Sequence, residues 1–553
     1  MMSRERILQG IRTAFELLLR EYSFEAQQMP LFSVAYPEHT DHGDYATNIA
    51  MVSTKLFKKS PRDIAGQFAE FLRKELITKK QPLCERIEVA DPGFINFYLA
   101  PTFLQAQAGV ILKEGKRFGS GKLGKRVNVE YVSANPTGPL TLASGRGGYF
   151  GDVLSRTLAF AGAKVTREYY VNDAGNQIKT LGESVLAWAG LVPKQEHQYQ
   201  GGYIAGYAKE FSGKLAAYVQ SPEKLGKKVA DAILSRDIKP PLARAGILFD
   251  RWVSEAGDIR SKGLVEKTLT ELQKRGLVYE KDDALWLKTS QFGDDKDRVL
   301  RKSVGDKDYT YVAVDIPHHL ETWKKNDALV VVLGTDHHGD VARLQAGMQM
   351  LGKPPITFVL MQMIRLLENG SEVRMSKRTG NFVTFAELLD EVGADVARFF
   401  FLMYQPNTHM DFDLTLAKER SEKNPVYYVQ YAYARLCGVM RKAAETKGIG
   451  ADGHDLAYLV KKEELALMKL LARFPELIED IARTYEAHRL AHYATELARM
   501  FHVFYDTTRV VDTEKLHLSS ARIALVKAVK TVLASVMGLM GISAPERMAE
   551  KVG

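Results

Sequence analysis

The sequence predicts an α/β protein. A parallel-sheet domain carries a helical insertion, with a smaller α+β unit before it and an all-α unit after it. Three observations predict this. Between residues 106 and 405, β-rich runs alternate with helical ones, as crossover connections in a parallel sheet require. Beyond 405 nearly every segment has helical periodicity, whereas 1–105 mixes helices with a short extended ending. The chain has 553 residues, too many for one core, and three units fit that length.

In chain order, "MMSRERILQGIRTAFELLLREY" is an amphipathic helix whose charges run throughout, unlike a secretory leader. "RIEVADPGFINFYLA" alternates like a strand pair broken at Pro92-Gly93. Five extended runs follow: "KRVNVEYVS", "AKVTREYYV", "DYTYVAVDI", "ALVVVLG" and "ITFVLMQMI". Between the second and third, a charged, mostly helical stretch over 181–290 reads as an insertion into the sheet domain. In the last unit, Asn424-Pro425 makes an N-cap and first-turn pair, Pro475 restarts a helix, and Gly541 closes "ARIALVKAVKTVLASVMGLM".

Composition excludes several classes. The longest apolar runs, such as "ARFFFLMY", fall far short of a membrane span, so no membrane association is expected. Cys84 and Cys437 lie far apart with no metal or redox spacing, which suits a reducing cytoplasm. The net charge of +9 arises from 76 basic against 67 acidic side chains, a modest excess that permits a polyanionic partner.

Four segments carry chemistry. Strand 126–132, a Pro/Gly loop, helix 145–161 and strand 163–171 form a βαβ unit, whose ligands belong at the strand ends against the helix N-terminus. Ala143, Gly145, Gly147 and Gly148 let a ligand approach the backbone, although small residues serve tight helix-to-sheet packing equally well. "SEVRMSKRTGNF" puts Arg374, Lys377 and Arg378 on a loop with Ser376, suited to clamping a triphosphate. "LGTDHHGD" places Asp336, His337 and His338 at a strand end. Adjacent histidines on a strand point to opposite faces, so ribose or substrate hydrogen bonding fits better than a metal site. In "YTYVAVDI", Tyr311 and Asp315 share one face if the run is extended.

Together these segments resemble a class I aminoacyl-tRNA synthetase, and within that class the bacterial-type arginyl-tRNA synthetases. "VEYVSANPTGPL" with "SGRGGYFGD" is similar to the loop bearing the HIGH signature, and "RMSKRTGN" to the KMSKS loop. "EYYVNDAGNQI", "ALWLKTSQFGDDKDRVL", "LGTDHHG", "EVGADVARFFFLM", "NPVYYVQYAYARLC", "HGDYATNIAM", "DPGFINFYL" and "GISAPERM" also resemble blocks of that family. The resemblance implies a Rossmann-like catalytic domain at 106–405, a tRNA-elbow-binding domain at 1–105 and a helical anticodon-binding domain at 406–553. It implies a monomeric cytoplasmic ligase that uses ATP with Mg²⁺, L-arginine and tRNA(Arg), with no structural metal.

By motif position, the resemblance places Thr141, Ser144, Arg374, Ser376 and Lys377 in catalysis. Around ATP it adds Pro139, Ala143, Gly145, Gly334, Asp336, His337 and Met375. Around arginine it puts Glu130, Ser133, Asn135, Tyr311, Asp315 and His338, with Asp315 forming the bidentate guanidinium pair. For tRNA it implies Asp44, Tyr45 and Asn48 in the first unit, with Lys55, Lys58, Lys59 and Arg62 as a phosphate track. In the last unit it implies Tyr428, Gln430, Tyr431 and Arg435, because the tyrosines at 427, 428, 431 and 433 cannot all face one core.

One departure stands out. The family's His-x-Gly-His is here Thr141-Leu142-Ala143-Ser144, so both imidazoles are replaced by hydroxyls. Losing one preorganised donor costs roughly 2.7–4 kcal/mol of transition-state stabilisation. Two readings follow: hydroxyls and the cationic loop do the work together, or the protein binds tRNA and nucleotide without activating arginine. The first is favoured, since the other blocks that serve the reaction are present.

Overall fold

The structure is a computed structural model that describes residues 2–25, 27–302, 309–373, 383–450 and 455–548. The N-terminal unit packs helices Ser3–Glu21 and Pro61–Leu76 on an antiparallel four-stranded sheet ordered Val34–Ala35, Tyr45–Thr47, Phe94–Leu99, Cys84–Ala90. Ser60 caps the second helix by accepting from the Asp63 N–H, Pro61 opens it, and Ile64, Phe68, Leu72 and Leu76 form its buried stripe. The hairpin read at Pro92-Gly93 is present.

The central sheet is parallel, with strands in the order Thr357–Met361, Ala328–Gly334, Arg126–Glu130, Lys164–Val171, Arg251–Ser254. The chain runs outward to one side from Arg126–Glu130, then returns to start the other side with Ala328–Gly334. Crossover helices leave both of these strands, Leu142–Phe160 and His338–Met350, so the strand ends part and open a crevice between them.

Two sequence expectations change here. "DYTYVAVDI" is not a strand but the start of helix Tyr311–Trp323, even though Pro317 lies inside it. Val312, Ala313, Val314 and Ile316 are all buried, and a helix buried on several sides has no apolar stripe to separate it from a core strand. The short strand Arg251–Ser254 lies inside what reads as the 181–290 insertion and is instead the edge of the main sheet. The spliced-in helices therefore lie between Val171 and Arg251. Helices Asn176–Trp188 and Pro222–Ile233 touch there backbone to backbone, since a Cβ at Gly182 would stand 1.9 Å from the Pro222 carbonyl oxygen. The unit boundaries also shift. Strand Met410–Asp413 pairs with Ile364–Glu368 beyond position 405, and helix Pro101–Glu114 runs through position 105.

The C-terminal unit is a bundle of Pro425–Glu445, Lys462–Ala472, Phe474–Thr484, Arg489–Thr507 and Leu516–Met540. Asn424 caps its first helix through the Val426 N–H at 3.1 Å, and Gly541 ends the last one at φ +70°. Leu516–Met540 is long and apolar enough to cross a membrane, but here Val526, Val529, Leu533 and Val536 form the bundle core.

The two terminal units are joined through Glu476, which is fully buried on the third bundle helix. Its carboxylate accepts from the Tyr36 hydroxyl at 2.5 Å, the Tyr45 hydroxyl at 3.0 Å and the Arg4 backbone N–H at 2.8 Å. Asp44 likewise accepts from the Leu99 N–H at 2.8 Å and pairs with Lys469 at 2.9 Å. Asp44 and Tyr45 are therefore buried domain couplers, which corrects the base-reading role expected of them. Both side chains reach the bundle, Asp44 at Lys469 and Tyr45 at Glu476. Asn48 braces its own loop by accepting from the Ser33 N–H at 2.8 Å.

Glu476→Ala leaves the buried Tyr45 hydroxyl and two half-buried donors without this acceptor and is expected to destabilise the docked unit by about 3–5 kcal/mol, as breaking a buried charged network does. Hydrogen exchange checks this: amides of residues 34–47 should lose protection while those of the central sheet keep theirs. Equal protection in both would show that Glu476 does not hold the units together.

Candidate functional site

The crevice begins at the N-terminus of Leu142–Phe160. Thr141 is its N-cap, accepting from the Ser144 N–H at 3.4 Å, and the two hydroxyl oxygens lie 3.2 Å apart. Whichever hydroxyl donates to the other, the second keeps its proton for a ligand. The first-turn amides of any helix have no intrahelical acceptor, so this end is a ready anion site. Ala143 is exposed, and Pro139, Thr141 and Ser144 are half-buried along the same rim.

Gly145 has a different job from the one its motif suggests. A Cβ there would meet the Phe385 ring at 2.4 Å, so this glycine admits an aromatic side chain rather than a nucleotide. Phe385 opens helix Phe385–Val392, which carries a full capping box from Thr384 and Glu387. The Phe385 N–H donates to the Leu140 carbonyl at 2.9 Å, and Thr384 forms an isolated bridge with Thr141. Arg374, Met375, Ser376 and Lys377 lie outside the described residues. The chain that follows them is thus stitched directly onto the helix N-terminus. One residue past Gly145, the buried Arg146 guanidinium donates to the carbonyls of Gln362, Gln405 and Thr408 at 2.7, 2.9 and 3.0 Å. Burial with no carboxylate partner brings its pKa down to about 10.

Across the crevice, Gly334 ends its strand and Asp336, His337 and His338 are exposed at its mouth. His337 Nδ1 lies 3.1 Å from Asp340, which raises the pKa of the ring.

The deeper wall is acidic. Glu130 ends its strand almost buried, accepting from the Ser133 hydroxyl at 2.9 Å. The chain then turns sharply, with Val132 at φ +67° and Ser133 at φ +35°. A β-branched residue in that region stores strain, as functional loops often do. Asn135 is exposed just beyond. His318 Nε2 stands 3.2 Å from both Glu130 Oε2 and Glu168 Oε1. Burial alone would lower the His318 pKa, but the two carboxylates carry it up to about 10. Burial alone would raise that of Glu130, but the bond and charge from His318 hold it at about 2.

Asp315 is half-buried one helical turn below Tyr311, so the two share a face of a helix rather than of a strand. Burial pushes its pKa up to about 8; His318 opposes the shift, and the nearby Glu255 and Glu130 add to it. Glu255 is itself buried, with the Tyr170 hydroxyl donating to it at 3.2 Å and Arg260 Nε at 2.7 Å. Asp315 lies within electrostatic reach of Glu255 and Glu130, whose charges already meet Arg260 and His318, so an added cation would pair with Asp315. Ligand atoms of Glu130, His318 and His319 also fall within 4.8 Å of one another, close enough for a metal, but the His318 imidazolium already supplies positive charge there.

Sequence reasoning missed Glu255, Tyr170, Glu168, His318 and His319. Glu255 directly follows the edge strand that went unrecognised, and the histidines align with Asp315 only once 311–323 is helical.

In the bundle, Tyr427 and Tyr431 stack at 6.2 Å, Tyr431 stacks on His502 at 6.0 Å, and Arg435 sits 4.8 Å over Tyr431 and 5.1 Å over Tyr505. Tyr428 tilts against His502 at 5.0 Å, leaving a half-exposed aromatic strip. Gln430 departs from the expected reading role. Its amide donates to Asp395 at 2.9 Å and to the Ser543 carbonyl at 3.2 Å, bracing the bundle on the sheet domain. Tyr433 is buried.

Three family descriptions match the chain: "Arginyl tRNA synthetase N terminal domain" over 5–99, "tRNA synthetases class I (R), catalytic domain" over 192–403, and "DALR anticodon binding domain" over 429–548. An arginine–tRNA ligase from Geotalea daltonii is 42% identical, covering 95% of this chain and 96% of its own length. One from Desulfosudis oleivorans is 42% identical, covering 99% of this chain and all of its own length. The solved Thermus thermophilus arginyl-tRNA synthetase is 22% identical and has the same fold, with a TM-score of 0.76 over 99% of this chain and 100% of that one.

With its pKa near 8, Asp315 is mostly protonated at pH 7, and a cation bound beside it favours the carboxylate. Guanidinium ion binding at pH 7 is therefore expected to release close to one proton, and affinity should rise with pH and level off above about 8. Calorimetry in buffers of different ionisation enthalpy measures this release, and Asp315→Asn should abolish it.

Proposed function

The chain belongs to the arginyl-tRNA synthetase family, and we propose that the crevice at the switch point is where it joins arginine to ATP before passing the arginyl group to tRNA(Arg). The reaction is that of an arginine–tRNA ligase. Arginine's carboxylate attacks the α-phosphate of ATP and pyrophosphate leaves. The 3′-terminal ribose hydroxyl of tRNA then attacks the arginyl carbonyl and AMP leaves. ATP enters as its Mg²⁺ complex.

The observation that carries the site assignment is the stitch between Thr141 and Thr384 with the Leu140–Phe385 bond. It holds Thr384 and Phe385 beside the helix N-terminus, and we assign Arg374, Met375, Ser376 and Lys377, which precede them in the chain, to the same triphosphate as the Thr141 and Ser144 hydroxyls. Thr141 and Ser144 supply an outward O–H between them, and the first-turn amides supply the remaining donors. Pro139 and Ala143 border the adenine, Gly334, Asp336 and His337 face the ribose, and His338 with Asn135 and Ser133 lines the amino acid's backbone end. Glu130 and Asp315 receive the guanidinium, Glu255 completes the acidic wall and Tyr311 covers it. Such a site works by positioning and charge neutralisation.

For tRNA, the half-exposed strip of Tyr428, Tyr431 and Arg435 suits base stacking. The exposed Lys55, Lys58, Lys59 and Arg62 offer a phosphate track on the N-terminal unit, in place of the buried Asp44 and Tyr45. We place the enzyme in the cytoplasm, a reading supported by two buried free thiols, Cys84 and Cys437, and propose that it acts as a monomer.

Charging assays test this directly. The protein should incorporate labelled arginine into acid-precipitable RNA in an ATP- and tRNA-dependent way; tRNA binding without charging would select the non-catalytic alternative. Ser144→Ala should lower kcat by about 10²-fold while leaving tRNA affinity unchanged, and an unaltered kcat removes the hydroxyl from the reaction. Asp315→Asn should raise the KM for arginine by about tenfold to a hundredfold, with little change in that for ATP.

A further inference from the structure

His319 is a buried group that the reaction as described does not use. It stands one turn after Asp315 on helix Tyr311–Trp323 and is 5% exposed. Its Nδ1 lies 2.8 Å from the Asp315 backbone carbonyl, an atom that only accepts, so Nδ1 carries a proton. Burial and the neighbouring His318 imidazolium lower the pKa of the ring, which keeps it neutral. Nε2 is therefore an unprotonated lone pair with its direction set by the helix.

That lone pair has no hydrogen-bond partner among the described residues. The polar atom facing it, Glu130 Oε2 at 3.6 Å, is also an acceptor. Two acceptors this close, both buried, leave Nε2 unsatisfied, and one N–H donor supplied by a ligand would satisfy it. An acceptor left dry costs about 1–3 kcal/mol, so the arrangement gains from a ligand that brings donors only. Guanidinium has five N–H donors and no acceptor. A bidentate pair with Asp315 uses two of them and leaves others directed away from that carboxylate.

We propose that His319 is a specificity-determining residue for arginine: its Nε2 accepts a guanidinium N–H alongside Glu130 and holds the plane of the group that Asp315 pairs with. This rests on the assignment of the acidic wall to arginine's side chain. A carboxylate pocket alone admits any cation, including a lysine ammonium. A neutral acceptor at a fixed point rewards a planar fork. It also disfavours citrulline, whose urea oxygen presents a second lone pair to Nε2.

The test uses full-length enzyme with His319→Phe and His319→Gln, in steady-state aminoacylation and in inhibition by citrulline. His319→Phe should raise the KM for arginine by about tenfold to a hundredfold, with kcat and the KM for ATP within about twofold. His319→Gln restores an acceptor and should recover most of that loss. Its amide N–H₂ can also donate to the urea oxygen, so citrulline should inhibit it more strongly than wild type. In wild-type enzyme labelled with ¹⁵N-histidine, a non-protonated ring nitrogen should shift on adding arginine, a readout that does not depend on either variant folding. An unchanged KM for arginine in His319→Phe, an unmoved nitrogen signal, or a stoichiometric transition metal in the purified protein would overturn the proposal. If Asp315→Asn raises the arginine KM and His319→Phe does not, only this inference falls; if neither does, the pocket assignment falls with it.

Discussion

The imidazolium of His318, held between Glu130 and Glu168, is the interaction on which the acidic wall depends. It joins the C-terminal end of the first sheet strand, the interior of the second and the helix that carries Asp315. Glu168 is fully buried and takes two further donors, Asn128 at 3.2 Å and Arg251 at 3.0 Å, the latter from the edge strand. Without the imidazolium, Glu130 would lose the partner that keeps its carboxyl ionised against burial. With it, Glu130 stays ionised while Asp315, a turn away, sits near 8. Glu130, bonded to that charge, is held anionic, whereas burial keeps Asp315 near 8 although the same charge opposes the shift, so Asp315 becomes anionic when a cation arrives.

The helix N-terminus across the crevice is built from neutral groups and backbone geometry instead. Thr141 and Ser144 share hydrogen bonds that both cap the helix and orient the outward hydroxyl. Phe385 wedges against Gly145, and Arg146 clamps the carbonyls of Gln362, Gln405 and Thr408 in the segments that flank strands Ile364–Glu368 and Met410–Asp413. The position of the helix N-terminus relative to Phe385 and these strands is therefore fixed by packing. This matters more in a site lacking imidazole donors, because a hydroxyl reaches less far and cannot become cationic.

Units distant from the crevice are joined by buried charge as well. Arg398 pairs with Asp152 at 2.5 Å and donates to the Met540 carbonyl at 3.0 Å and the Ala245 carbonyl at 2.8 Å, so the signature helix, the insertion and the last bundle helix meet on one guanidinium. Glu476 plays the matching part between the two ends of the chain. Buried ionic groups of this kind add little net stability, but they are costly to separate, so they hold the units together.

By itself, the sequence determined what short-range rules govern: three units, the parallel βαβ corner, and the caps at Asn424 and Gly541. Those features rest on local periodicity, turn residues and strand ends, which are written in adjacent positions. Tertiary structure alone decided which polar residues are available. Asp44, Tyr45 and Gln430 carry chemistry suited to RNA, yet they face other domains and are spent on holding them. "YVAVDI" could be a strand or a buried helix on its pattern, and only packing on several sides made it the helix that sets His318 and His319 beside Glu130. The four-residue strand before Glu255 was too short to register, and it exists because the sheet edge pairs with it. Burial and pairing depend on residues far apart in the chain, and no local pattern encodes them.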